Sequence, residues 1–410
     1  MKEFVQELRT GWRDLLGAMI GMGCGIGGYT PVSSFFFRAL EQEFSWSKVA
    51  SAASLVALPV TAAVLPIAGS LLDRFGVRRV AMISALGMCA CFLWLTTLHG
   101  QLPMFYAAFI CLNAVGCATG PISYTRAVSM NFRRSRGTAL AAALLGYALA
   151  GMLLPPLLAT VMASSGWRGG YRLLTGVALF GGIVGTTLIG RSGDARQAQE
   201  TTSGASLRQA LRTSAFWLLG MATFCISAAS LGFVYQFQSI VIERGLGIGR
   251  APLLVSLLSV SIFVSRLIIG RAMDVFAAER VAASALALAA LGMLLWWLGI
   301  AGLGVAIVAI LLLGLSIGAE LDLLSFFCAR LFGLRHYSAI YGALGVFFYL
   351  GIAAGGFIYG GSYDLRGSYG FAIGLSAMLL LAASTMFLAL RGASDVALAA
   401  ARLPLPAGGP

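Results

Sequence analysis

Residues 69–79 read Gly69-Ser-Leu-Leu-Asp73-Arg74-Phe-Gly76-Val-Arg78-Arg79, and they lie between apolar runs near 48–72 and 77–98. One acid and three arginines occupy the turn, and both flanks are apolar. A helix crosses a hydrocarbon core of ~30 Å in ~20 residues, so each flank is long enough to span and the charged turn is a loop at the membrane surface. Scanning outward finds runs near 15–40, 48–72, 77–98, 103–126, 136–164, 168–190, 214–242, 251–273, 280–300, 302–330, 336–361 and 367–391. In lipid, backbone groups have no water to bind, so spans of this length must be helical. The expected fold is an all-α membrane protein of 12 transmembrane helices.

Composition agrees. The chain of 410 residues is 59% hydrophobic and 10% charged, with a mean hydropathy of +0.90. A soluble domain carries about 25% charged residues, and no water-soluble core of this size hides so much apolar surface. The lipid bilayer is the expected surrounding. The net charge of +13 does not imply nucleic acid, because the basic residues sit mainly in short connections between apolar runs. Seven cysteines lie inside apolar segments without a CxxC pair and read as small buried hydrophobes rather than metal ligands. Two histidines in unrelated places support neither a metal set nor a hydrolytic triad, and no GxxxxGK[ST] loop occurs to take ATP. No cofactor and no enzymatic activity are expected. The first apolar run is too long for a signal-peptide core and reads as a retained span.

Lys and Arg fall unevenly on alternate sides of these spans. With the N-terminus inside, 20 lie on the inner side, seven on the outer side, and Arg266 within a span. The bias places both termini in the cytoplasm of a bacterial-type inner membrane. The polar stretch 191–213 divides the chain into bundles at 1–190 and 214–402, with 191–213 as central linker and 403–410 as a disordered tail. The charged turn recurs after the eighth run as Gly270-Arg-Ala-Met-Asp274. Repeated halves are a transporter architecture.

The turn at 69–79 resembles the signature of the major facilitator superfamily, G-x-x-x-D-[RK]-x-G-x-[RK]-[RK]. The first copy matches at Gly69, Asp73, Arg74, Gly76, Arg78 and Arg79. In the second, Asp274 is kept while Val275 replaces the basic residue. The resemblance implies two pseudo-symmetric six-helix bundles and a loop that braces the gate. Narrower features resemble the monocarboxylate transporter and oxalate/formate antiporter branch: Gly28-Tyr-Thr-Pro31, Phe132-x-x-x-Arg136-Gly137, Phe216-Trp217, and Gly361-Ser-Tyr-Asp364. That branch implies an eighth-span Arg holding an anion. Three departures stand against a full transfer: Val32 in place of a coupling Lys, Ile262 in place of an Asp, and an eleventh span without Lys or Arg.

Intramembrane charges are costly and mark function. Three stand out. Arg266 offers a planar fork suited to a carboxylate; it is read as binding substrate, or as an ion pair with Glu320 or Asp322. Those acids are two residues apart, ~200° around a helix, so they face different neighbours. Either is a candidate for proton coupling, Glu320 first; a permanent pair with Arg266 is the alternative. Tyr29, Asn113, Tyr147 and Phe348 complete the candidate substrate site. The expected function is a secondary transporter, monomeric as a functional unit, for a small organic anion, with H+ as the coupled ion. Anion exchange, drug or cation efflux, and a non-transporting sensor are the rivals.

Overall fold

The structure, a computed structural model, describes residues 2–46, 54–190, 204–245, 251–299 and 302–402. The expected tail at 403–410, residues 191–203 of the expected linker, and residues 300–301 of the short connection near 300–302 lie outside them. Ten of the described helices are long and apolar enough to cross a membrane. Nine cross once. The tenth, Arg136–Leu188, holds two spans and turns at Gly166, whose φ of 64° and ψ of −174° break the helical path. The interrupted first span makes twelve.

That first span begins earlier than its apolar run. Its helix covers Lys2–Gly23, including the polar residues 2–14, because they have something to pack on: Phe4 meets Phe132 at 6.0 Å, and Asp14 accepts from Gly190 N at 2.9 Å. Extended Gly25 then breaks the path, and the chain resumes through Ile26–Tyr29, a 3-10 turn at Thr30–Val32 and Ser33–Phe44. The fourth span is broken as well. Leu102–Gly116 ends in a 3-10 turn at Cys117–Thr119, and Pro121 starts a new helix to Asn131 after extended Gly120; a proline at the first helical position lacks only a donor that would be unused there. The two breaks interlock, with Ile26 N donating to Thr119 Oγ1 at 2.9 Å.

The remaining spans are Ser54–Phe75 (second), Val77–Thr96 (third), Ser214–Glu243 (seventh), Ala251–Val275 (eighth), Ala278–Trp297 (ninth), Leu303–Phe332 (tenth), Tyr337–Arg366 (eleventh) and Gly370–Arg402 (twelfth). Spans one to six and seven to twelve form two halves. They meet chiefly where the second span packs on the eleventh and the fifth on the eighth. Close approach needs small residues there. A Cβ on Gly137 would run into Gly270 O, and one on Gly69 into Ser338 O. Among the described residues, no comparable packing joins the first and seventh spans. The halves are therefore closed on the face where the chain begins.

Candidate functional site

Arg266 projects from the eighth span toward the tenth. Helix spacing and small residues bring the two together: Gly318 sits against Ser265 Oγ, and Ser265 Oγ donates to Gly314 O at 2.8 Å. Asp322, one turn beyond Gly318, shares that face. Its Oδ2 stands 3.8 Å from Arg266 Nε, a long ion pair in which the acid is fully buried. The pair is incomplete. Arg266 Nη1 and both Asp322 oxygens are buried without a hydrogen-bond partner. A buried donor left unmatched costs free energy.

Glu320 takes the other direction. It lies one turn from Ser316, which bonds Ser230 of the seventh span at 2.9 Å. Glu320 is buried, its Oε1 lacks a partner, and Arg266 is the charge it senses. The structure thus gives the ion pair to Asp322 and leaves Glu320 near the same cation without a bond to it.

Tyr147 of the fifth span is half-buried between the halves, within electrostatic range of Arg266, Tyr341 and Tyr349. Phe348 is half-buried on the eleventh span and meets Tyr349 edge-on at 5.3 Å. Tyr349 senses Cys117, which places it opposite the break in the fourth span. Two other candidates lie elsewhere. Tyr29 is 3% exposed inside an aromatic core of the first half, with Phe92 at 5.3 Å and Phe36 at 6.3 Å. The interruption at Gly25 directs it inward to that core rather than to Arg266. Asn113 Nδ2 donates to Phe109 O of its own helix at 2.9 Å, which spends that amide locally.

The charged turns work as locks. Asp73 accepts from Arg126 Nη1 at 2.7 Å and, across the halves, from Ser338 N at 3.1 Å and Ala339 N at 2.8 Å. Asp274 accepts from Gly137 N at 2.6 Å, Thr138 N at 2.8 Å and Thr138 Oγ1 at 2.6 Å. Each acid therefore holds the N-terminal amides of a helix in the opposite half, where the dipole favours an anion. Gly76 adopts φ 82° at the start of the third span. Arg74 lies over Phe75, and Arg79 is exposed. The pairing of Arg126 with Asp73 has no counterpart in the sequence reading, which counts Arg126 only as a basic residue at the inner end of the run 103–126. It is 1% exposed inside the fourth span. Its signal was its position only five residues before the end of that helix.

A family model for the Major Facilitator Superfamily matches residues 15–356. The chain belongs to that superfamily. It is accordingly a multi-pass membrane protein and a secondary transporter. No curated protein sequence matches it. Solved structures share its fold. The human organic anion transporter MFSD10 (TETRAN) superposes with a TM-score of 0.69 at 15% identity, over 93% of this chain and 99% of that one. The transporter FucP in the outward conformation gives 0.73 at 15%, over 92% and 97%. The proton:xylose symporter XylE gives 0.73 at 13%, over 92% and 95%.

Proposed function

We propose that this transporter carries a small organic anion with one carboxylate, bound by Arg266 between two six-helix bundles at 1–190 and 214–402. The observation that carries the reading is the guanidinium itself. Its Nη1 is buried without an acceptor, and its nearest acid stands at 3.8 Å from Nε. A carboxylate that takes the fork satisfies a donor the protein leaves unmatched. Tyr147 and Phe348 flank the anion. Residues 337–361 of the eleventh span bring no second cation, which favours one carboxylate over two.

Proton coupling follows from the same cluster. An arriving anion competes with Asp322 and Glu320 for one cation, and a buried acid deprived of its cation favours the protonated form. Proton symport is the reading this supports. The positive-inside count supports cytoplasmic termini in an inner membrane, and a single chain supplies the whole site.

Uptake of labelled monocarboxylates into proteoliposomes, with and without an imposed pH gradient, tests this. Arg266→Lys keeps the charge and loses the fork; kcat/KM should fall by about tenfold or more. Unchanged saturation kinetics would overturn the binding assignment. Glu320→Gln should abolish gradient-driven accumulation while leaving counterflow; retained accumulation removes Glu320 as the coupling acid. Counterflow without proton movement in the native protein would replace symport by exchange.

A further inference from the structure

The fifth span begins at Arg136, and Ser135 is its N-cap: Ser135 O accepts from Ala139 N at 2.9 Å. A serine in this place ordinarily turns its hydroxyl onto the second or third helical amide. Those amides belong to Gly137 and Thr138, and they are the ones that Asp274 takes from the opposite half. Ser135 makes no such cap. Its hydroxyl donates to Glu7 Oε2 at 2.5 Å instead.

Glu7 belongs to the polar start of the first helix, on the closed face and outside the membrane. Its Oε1 also accepts from Arg133 N and Arg134 N, and its Oε2 from Ser135 N, each at 3.1 Å. One carboxylate thus gathers four donors from three consecutive residues. Phe4 against Phe132 and Gly11 beneath the same ring hold the helix in register. The exposed pair Glu3–Arg134 at 3.4 Å adds little.

The equivalent position in the second half needs no such device. There the N-cap is His336, which bears no hydroxyl, and Asp73 takes the amides of Ser338 and Ala339. Among the described residues that loop is tied through backbone, by a bridge between Gly204 and Gly333 and a bond from Ala205 N to Phe332 O at 2.9 Å.

We propose that Glu7 is a positioning residue of the gate: by engaging the Ser135 hydroxyl it reserves the Gly137 and Thr138 amides for Asp274. Without Glu7, Ser135 caps its own helix and competes with the acid that joins the halves. The closed state then loses population. This holds whatever solute Arg266 binds.

Hydrogen exchange of the full-length protein tests it, read at residues 336–342, the other lock. Those residues touch neither Glu7 nor Ser135 and report opening of the whole gate. Glu7→Ala should speed exchange there by about tenfold or more, the scale expected for one lost charge-assisted hydrogen bond, and Glu7→Gln by less. Adding Ser135→Ala to either variant removes the competitor and should bring exchange back to within about twofold of the native rate. Two outcomes overturn the proposal. One is unchanged exchange at 336–342 in Glu7→Ala, with loosening confined to 132–142. The other is a double variant that exchanges as fast as the single one. Should Glu7→Ala fail to fold, Glu7→Gln with and without Ser135→Ala decides the same point.

Discussion

The two locks share a G-x-x-x-D pattern and a task, yet they are built differently. Asp73 is buried beside Arg126, so two neutral amides from the other half complete an ion pair that already exists within its own half. Among the described residues no cation bonds to Asp274, and its three bonds come from the helix across the interface. One lock is an internal salt bridge that also reaches outward. The other is an acid that depends on its partner. The first should matter most to folding and the second most to gating.

The largest expected effect tests the first half of that statement. Arg126→Ala strands a buried carboxylate and should destabilise the protein by about 3–5 kcal/mol, read as a large fall in thermal midpoint in detergent. A small shift would mean that the Ser338 and Ala339 amides suffice for Asp73. Next comes Asp274→Asn. It weakens charge-assisted bonds at the helix end and should cost the closed state about 1.5–3 kcal/mol, seen as faster exchange at 336–342 with a midpoint close to native. A midpoint drop matching that of Arg126→Ala would erase the contrast between the locks.

The smallest effect concerns pH. Burial raises the Glu7 carboxyl, but bonds from the Ser135 hydroxyl and from the amides of Arg134, Arg133 and Ser135 outweigh it and hold the group below the usual carboxylate range. A depressed acid stabilises above its ordinary value, ~4.3 for Glu, and loses that contribution as pH falls through the lower folded value. The midpoint difference between native protein and Glu7→Gln should stay constant from about pH 8 to 5 and shrink only in stronger acid. Arg133, Arg134 and Arg136 are the charged groups around the same carboxylate, with Glu3 paired to Arg134. A difference that shrinks near neutrality would mean that Glu7 is not the charged acceptor described.

The spans were legible because lipid selects on a sum over ~20 residues; the seventh run, expected at 214–242, is Ser214–Glu243. The breaks in the first and fourth spans were not, since Gly and Pro are tolerated in membrane helices and their effect depends on neighbours such as Thr119. Arg266, Glu320 and Asp322 stood out as charges in apolar runs. Arg126 and Glu7 did not, because polar sequence surrounds them and only packing makes them matter. Asp274 lies in a degraded copy of the pattern, and its full set of bonds comes from residues some 137 positions away.

By itself the sequence determined that the chain crosses the membrane repeatedly, that its charges favour one face, and that a charged turn occurs twice. Hydropathy, charge bias and repetition are local or additive quantities, and a linear reading sums them. Only the tertiary structure decided that Asp322 rather than Glu320 pairs with Arg266, that Arg126 backs Asp73 while Asp274 stands on the opposite half, and that Ser135 is turned away from its own helix by Glu7. Those choices depend on which helices cross and at what rotation. Bonds of 2.5–3 Å between residues more than a hundred positions apart are settled by packing, not by spacing along the chain.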